Sequence, residues 1–367
     1  MTAARPRERV LVAMSGGVDS SVAAALLKEQ GHEVIGAFMR NGVKANADRA
    51  HRQGCCGVDD ALDARRVADR LDVPFYALNF EDAFDGLIDD FVKAYARGET
   101  PNPCIECNRR FKMGALLHLA RKLKADTIAT GHYARVERNG DRWCVATGAD
   151  GDKDQSYVLF GLGQDALAHT RLPLGSLVKS EVREHARRLA LPVAEKPESM
   201  EICFVPTGDY RDILRERAPA TLQPGKIVDL SGAEVGRHDG TAMFTIGQRR
   251  GLPGGQPDPI YVSDLDPEAR TVTVGDKAAL LRDSFSATGA TWSGVSAPAI
   301  GSTLRGDVKI RAHHEPVPGV LTVTDDDAFS VLLDEPAEAV TPGQAAVLYE
   351  GDHILAGGWI ARDEVAV

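Results

Sequence analysis

Two groups of residues in this 367-residue chain carry chemistry by type and spacing. Met14-Ser15-Gly16-Gly17-Val18-Asp19-Ser20-Ser21 stands between an apolar run and a helical pattern. Paired glycines let the backbone turn tightly and present its N–H groups, and a helix N-terminus adds partial positive charge, so such a loop holds an anion. Ser15, Ser20 and Ser21 add hydroxyl donors, and Asp19 suits Mg²⁺ on a polyphosphate. The loop lacks the lysine of G-x-x-x-x-G-K-[ST] and is not G-x-G-x-x-G, so cleavage at the γ-phosphate and dinucleotide binding both fit poorly. A Gly-Gly turn that only caps a helix is the plain alternative. The second group is Cys104-Ile105-Glu106-Cys107, approached through Thr100-Pro101-Asn102-Pro103 and followed by Arg109, Arg110 and Lys112. A thiol near a helix N-terminus and beside cations is favoured as the thiolate that nucleophilic or sulfur-transfer chemistry requires. C-x-x-C alone also fits half a zinc site or a dithiol redox pair; without a second C-x-x-C or an H-x-x-x-H, structural zinc is disfavoured. Cys203 lies in the mostly apolar run Ser199-Met200-Glu201-Ile202-Cys203-Phe204 and by itself reads as a small buried hydrophobe. Cys144 reads as packing, and the adjacent Cys55 and Cys56 receive no role.

The elements that must position these residues alternate. Strands are expected at Arg9–Ala13, Glu33–Phe38, Val73–Leu78 and Thr127–Thr130, with helices at Ser20–Gln30, Asp59–Leu71, Asp82–Ala96 and Arg109–Leu123. Alternation of this kind predicts an α/β fold, a doubly wound parallel sheet with ligands beyond the carboxyl ends of its strands. A hairpin is expected around Asn139-Gly140. After a helix at Asp209–Arg217, glycine and proline become frequent, and period-two strands at 271–274, 307–311, 320–323 and 345–349 predict a small β-barrel. The expected division is a catalytic domain over 1–206, a small mixed central domain over 207–275 and a C-terminal barrel over 276–367.

Composition narrows the class. Apolar residues at 43% and charged residues at 26% exclude disorder as the main state. Met1–Arg9 is charged and runs into a stretch too short for a signal or a membrane span, so a cytoplasmic protein with reduced thiols is expected. The formal charge of −10 argues against a general nucleic-acid coat but leaves room for local basic runs such as Arg121-Lys122-Lys124 and Arg249-Arg250.

S-G-G-V-D-S directly after a strand resembles the loop of the ATP pyrophosphatases, which split ATP between the α- and β-phosphates. Further motifs follow in order: G-A-F-M-R at 36–40, T-P-N-P-x-x-x-C-N at 100–108, G-H-Y-A-R at 131–135 and K-D-Q-S-Y-V-L at 153–159. S-M-E-I-C-F-V at 199–205, T-I-G-Q-R-R-G-L at 245–252 and V-T-P-G-Q-A-A-V at 340–347 complete the series. Together they resemble the tRNA-specific 2-thiouridylase family, which replaces the 2-oxygen of the wobble uridine by sulfur.

The resemblance implies an ATP-pyrophosphatase, Rossmann-like catalytic domain, a central domain and a barrel. It implies ATP as co-substrate with Mg²⁺, bound by Ala13, Met14, Ser15, Gly16, Gly17, Val18, Asp19, Ser20, Met39 and Gly131. Cys107 is implied as the nucleophile and Cys203 as the persulfide carrier, ending as a Cys107–Cys203 disulfide. Asn102, Pro103 and Cys104 fall where the family meets the target base. His132, Lys153, Asp154, Gln155, Arg311, Ala312 and Gln344 fall where it touches tRNA. The implied partners are a tRNA with a wobble uridine and a sulfur-donor protein, a cysteine desulfurase or a relay; a monomer with no membrane contact and no metal-ligand set of its own is expected. Many relatives carry Asp at the position of Cys104. That third thiol opens a second route, a [4Fe–4S] cluster on Cys104, Cys107 and Cys203, although thiolate activation needs no metal and the persulfide route is preferred. The rivals are another ATP-pyrophosphatase ligase, which needs no cysteine pair, and a non-catalytic redox module docking RNA, which leaves the loop unexplained.

Overall fold

The computed structural model describes residues 7–42, 57–198, 202–205, 208–254 and 258–362. Cys55 and Cys56 lie outside the described residues. The chain divides into two compact units, one of Met1–Leu87, Cys104–Gly208 and Asp352–Ile354, the other of Ile88–Pro103, Asp209–Gly351 and Leu355–Val367.

In the first unit β1 (Arg9–Ala13), α1 (Val18–Glu29), β2 (Glu33–Arg40), α2 (Val58–Arg70) and β3 (Phe75–Asn79) alternate, and α3 (Glu81–Ala96) leads out of it. The chain returns through the short α4 (Pro103–Glu106), a π-helical stretch Cys107–Ala115 and α5 (Leu116–Lys122). Then come β4 (Thr127–Ala129), the hairpin β5 (Ala134–Asn139) and β6 (Arg142–Thr147), α6 (Gln164–Ala168), β7 (Thr170–Arg171) and α7 (Lys179–Arg188). The sheet order is β3-β2-β1-β4-β7 and every pairing is parallel, with Val10 opposite Val34 on one side and Thr127 on the other. Val10, Leu11 and Val12 are fully buried, as a strand covered on both faces must be. Strand order reverses at β1, so the loop after it and the segment after β4 open at the switch point where such sheets bind ligands. The doubly wound expectation therefore holds. The cysteine helix begins six residues before the expected Arg109. Proline at the first helical position lacks only an N–H that would have no partner there, which lets the helix start at Pro103.

The second unit carries α8 (Arg211–Arg217) and then β8 (Gly225–Val228), β9 (Glu234–His238), β10 (Tyr261–Asp266) and β11 (Thr271–Gly275) in the order β10-β11-β8-β9. Ile227, Val262, Leu265, Val272 and Val274 form its core. Six further strands follow: β12 (Leu281–Thr291), β13 (Thr303–Lys309), β14 (Val317–Asp325), β15 (Ala328–Glu338), β16 (Ala345–Glu350) and β17 (His353–Ile360). They run antiparallel in the order β12-β15-β14-β13-β16-β17, and Ala287 and Thr288 of β12 pair with Ile360 and Trp359 of β17. That pairing closes the barrel, which removes exposed strand edges. Phe285, Leu321, Val323, Phe329, Val331 and Leu333 fill its interior.

Candidate functional site

The loop after β1 is shaped for an anion. Gly16 has φ +75°, and a Cβ there would stand 2.2 Å from the Asp60 carbonyl oxygen, so α2 packs where only glycine fits. Gly17 is the N-cap of α1 and offers no side-chain cap, so the first-turn N–H groups stay turned to the loop. Ser20 Oγ accepts from Ser15 N at 3.0 Å and lies 3.2 Å from Ser15 Oγ, while Ser21 Oγ donates to Gly17 O at 2.7 Å. Gly131, two residues after β4, closes the other side: a Cβ there would lie 2.7 Å from Asp19 C and Ser20 N. Ala13 ends β1 opposite Ala37, Met14 and Val18 are buried, and half-buried Met39 near the end of β2 pairs with Leu78 of β3.

Behind the loop stands an ionic network that the sequence did not announce. Asp19 Oδ1 accepts from Tyr133 Oη at 2.8 Å and from Lys179 Nζ at 2.6 Å. Burial, then the Asp19 carboxylate, pushes the Tyr133 hydroxyl well up, which keeps it a donor. Glu198 accepts from Lys153 at 2.8 Å and sits 3.1 Å from Lys179; the Lys153 hydrogen bond, above all, holds its carboxyl below the usual range. Lys196 Nζ donates to Gly16 O at 3.0 Å, Asp60 Oδ1 at 2.8 Å and Asp63 Oδ2 at 2.7 Å. Burial alone would lower its pKa, but the Asp60 and Asp63 hydrogen bonds prevail and raise it.

The thiols occupy distinct settings. Cys104 is exposed, Cys107 is buried at the start of the π-helical stretch, and Cys203 is half-buried in a turn where Val205 N donates to Ile202 O at 2.8 Å. A π-helix closes i→i+5 bonds, so Lys112 stands one turn along from Cys107 on the same side. Arg109 forms a paired contact with Glu106, 2.7 Å at its shorter arm, so its charge is largely matched by that carboxylate rather than left to the thiols. Asn108 Nδ2 donates to Val158 O at 3.0 Å, and its Oδ1 is buried without a hydrogen-bond partner. Among the described residues no three Cys, His, Asp or Glu side chains converge as a metal site needs.

His132 is buried, 7% exposed, with Nε2 3.4 Å from Lys112 Nζ and Nδ1 2.6 Å from Thr130 Oγ1. Burial, reinforced by Lys112, drives its pKa well down. An ammonium only donates, so Nε2 accepts from Lys112 and Nδ1 carries the proton toward Thr130. In the K-D-Q run, Lys153 pairs with Glu198, Asp154 Oδ1 accepts from Gly148 N and Ser156 N, and Gln155 bonds Tyr133 through both its backbone N and its Oε1. These bonds join 153–155 to the loop after β1 through Tyr133 and Lys179.

In the second unit, Gln344 Nε2 donates to Thr100 O at 2.7 Å and Thr100 N to Pro342 O at 2.8 Å, so the 341–344 loop holds the chain just ahead of Asn102 and Pro103. Arg311 Nη2 donates to Glu338 O at 3.2 Å, with Ala312 half-exposed beside it. Sequence reasoning missed Lys179, Glu198, Lys196 and Tyr133. The only signal was position, Lys196-Pro197-Glu198 directly ahead of the Cys203 motif.

Three family models match successive stretches of the chain. Residues 8–207 match the family described as the tRNA methyl transferase HUP domain, 211–276 its PRC-barrel domain and 282–360 an aminomethyltransferase beta-barrel domain. A tRNA-specific 2-thiouridylase MnmA of Geobacter metallireducens is 51% identical over 97% of each chain. One of Geotalea uraniireducens is 49% identical over 96% of this chain and 95% of its own. One of Chloroflexus aggregans is 48% identical over 97% and 99%. A chain matched along nearly its whole length at this level is a member of the tRNA-specific 2-thiouridylase family.

Proposed function

We propose that this chain is an ATP-dependent tRNA-uridine 2-sulfurtransferase acting on the wobble uridine. The observation that carries the reading is an anion-holding loop at the switch point of a parallel sheet, in the same compact unit as Cys107 and Cys203. The C2 carbonyl of uracil cannot expel oxide. Its oxygen attacks the α-phosphorus of ATP, pyrophosphate leaves, and the oxygen becomes part of a good leaving group, AMP. First-turn N–H groups of α1, Ser15 and Lys179 hold the phosphates, where charge shifts toward pyrophosphate. Asp19 would hold Mg²⁺, which would neutralise polyphosphate charge; in this chain its Oδ1 accepts from Tyr133 and Lys179.

Sulfur enters from Cys203 as a persulfide. In one order Cys107 thiolate attacks the Cys203 sulfur, forming the disulfide and releasing hydrosulfide, which attacks C2 and expels AMP. In the other, the persulfide attacks C2 first and Cys107 then breaks the S–S bond. Both oxidise the two cysteines by two electrons, which an external thiol reductant restores. The persulfide route is preferred over a [4Fe–4S] cluster on Cys104, Cys107 and Cys203 because thiolate activation needs no metal. Asn102, Pro103 and Cys104 meet the flipped base, since extrusion is what exposes C2 to an enzyme. Lys153 in the first unit, and separately Arg311, Ala312 and Gln344 in the second, contact the tRNA, while within the first unit His132, Asp154 and Gln155 hold Lys112 and Tyr133 in place. A cysteine desulfurase or relay protein supplies the sulfur, and the enzyme works as a cytoplasmic monomer.

The test is nucleoside analysis of an unmodified tRNA with a wobble uridine after incubation with the protein, Mg-ATP, reductant, and a cysteine desulfurase with cysteine as the source of persulfide sulfur. The expected product is 2-thiouridine at that one position. Its absence, with ATP consumed on a small-molecule acceptor instead, supports a ligase.

A further inference from the structure

Sulfur must reach C2 while the adenylated base is held at the nucleotide loop, and the mechanism above gives no task to Lys196 or Glu198, the centres of two ionic nodes behind that loop. At the first, Lys196, 11% exposed in its side chain, binds the Gly16 carbonyl and bridges Asp60 and Asp63. At the second, Glu198 binds Lys153 and Lys179, with Arg183 3.8 Å away, and the same Lys179 ammonium reaches Asp19 of the loop. Both anchors lie in Lys196-Pro197-Glu198, and Cys203 follows Glu198 by five positions. At most about 3.6 Å per residue keeps the Cys203 Cα within roughly 18 Å of Glu198 by any route of the chain. Downstream, Phe204 and Val205 are each 3% exposed. Buried Phe204 and Val205 thus follow Cys203 directly, and the ion pairs of Glu198 precede it by five positions in the chain. Pro197, with φ fixed by its ring, removes slack between the two nodes. Pairs this buried add little net stability over apolar packing; specificity of arrangement is where they can matter.

We propose that Lys196 and Glu198 are positioning residues that register the Cys203 turn on the nucleotide loop, so that each adenylated uridine is met by sulfur before water. The inference rests on the sulfurtransferase reading. Where register is lost, water attacks C2 of the adenylated base and AMP leaves; uridine is regenerated, and the net reaction is ATP and water to AMP and pyrophosphate.

The readout is the ratio of pyrophosphate released to 2-thiouridine formed, measured in the full-length protein with unmodified tRNA. Both products arise from the same folded molecules, so the ratio does not depend on how much of a variant folds. Glu198→Gln keeps shape and removes charge. It is expected to raise the ratio at least about fivefold over wild type, with pyrophosphate release held within about threefold, since small misplacements cost catalysis steeply. Glu198→Asp should return part of the coupling, and Lys196→Met should uncouple in the same direction. An unchanged ratio in both Glu198→Gln and Lys196→Met, whether the two products fall together or not at all, overturns the proposal. Neither product from wild type with tRNA overturns the sulfurtransferase reading and this one with it.

Discussion

Cys107 and Cys203 are the residues proposed to bear the sulfur chemistry, and neither is part of the loop after β1. Replacing either by alanine is expected to reduce thiolation to background while leaving ATP affinity within about threefold, because only transition-state contacts of the second half-reaction are removed. Equilibrium binding of an ATP analogue beside nucleoside analysis checks this, and thiolation retained in either variant contradicts the assignment. His132 allows a test by pH. Burial, then Lys112, holds its pKa far below the unfolded value near 6.5. Below that pH the unfolded chain binds a proton that the folded chain refuses, so stability falls as pH drops, by at most about 1.4 kcal/mol per pH unit. Urea unfolding at pH 7.5 and 5.5 should show a shallower loss in His132→Gln than in wild type; equal losses contradict a buried neutral imidazole. At this scale the sequence revealed what is contiguous. A phosphate loop needs consecutive backbone N–H groups and therefore leaves a local mark. Lys179 and Tyr133 meet Asp19 across 160 and 114 positions, and nothing in Lys-Ser-Glu-Val or Gly-His-Tyr-Ala announces such a meeting.

At the level of elements, the site depends on how closely α1 and α2 approach their neighbours. A methyl group at Gly131 would meet the backbone of Asp19 and Ser20 at 2.7 Å, and backbone at a helix start has nowhere to go. Gly131→Ala is expected to lose adenylation by about a hundredfold or more with an overpacking penalty of only about 1–3 kcal/mol; pyrophosphate release and thermal unfolding separate the two, and near-normal release contradicts the packing. Lys196→Met leaves Asp60 and Asp63 facing each other without their cation, which should destabilise the first unit by about 3–5 kcal/mol. A loss below about 1 kcal/mol in denaturant unfolding places that triad in water instead. The central strands were legible because double burial writes continuous apolar runs. α7 was not: Lys-Ser-Glu-Val-Arg-Glu-His-Ala-Arg-Arg buries only Val182 and Ala186, too thin a stripe to read. β15 escaped for a similar reason, since Leu332, 59% exposed, breaks the alternation of Phe329, Val331 and Leu333.

For the whole molecule, composition and motif order pointed to a parallel α/β unit followed by β modules, and the family resemblance agreed. What closes the barrel, the pairing of β12 with β17, joins residues some seventy positions apart and has no local signature. The same holds for the parallel pairing of β11 with β8. On the proposed function, this architecture splits ATP between its α- and β-phosphates to activate a base in tRNA. The most direct measurement is nucleotide product analysis of the protein with Mg-ATP, reductant and sulfide, with and without an unmodified tRNA whose anticodon begins with uridine. AMP and pyrophosphate accumulating only with that tRNA is the result this account predicts. ADP in their place, or AMP formed equally without tRNA, contradicts it.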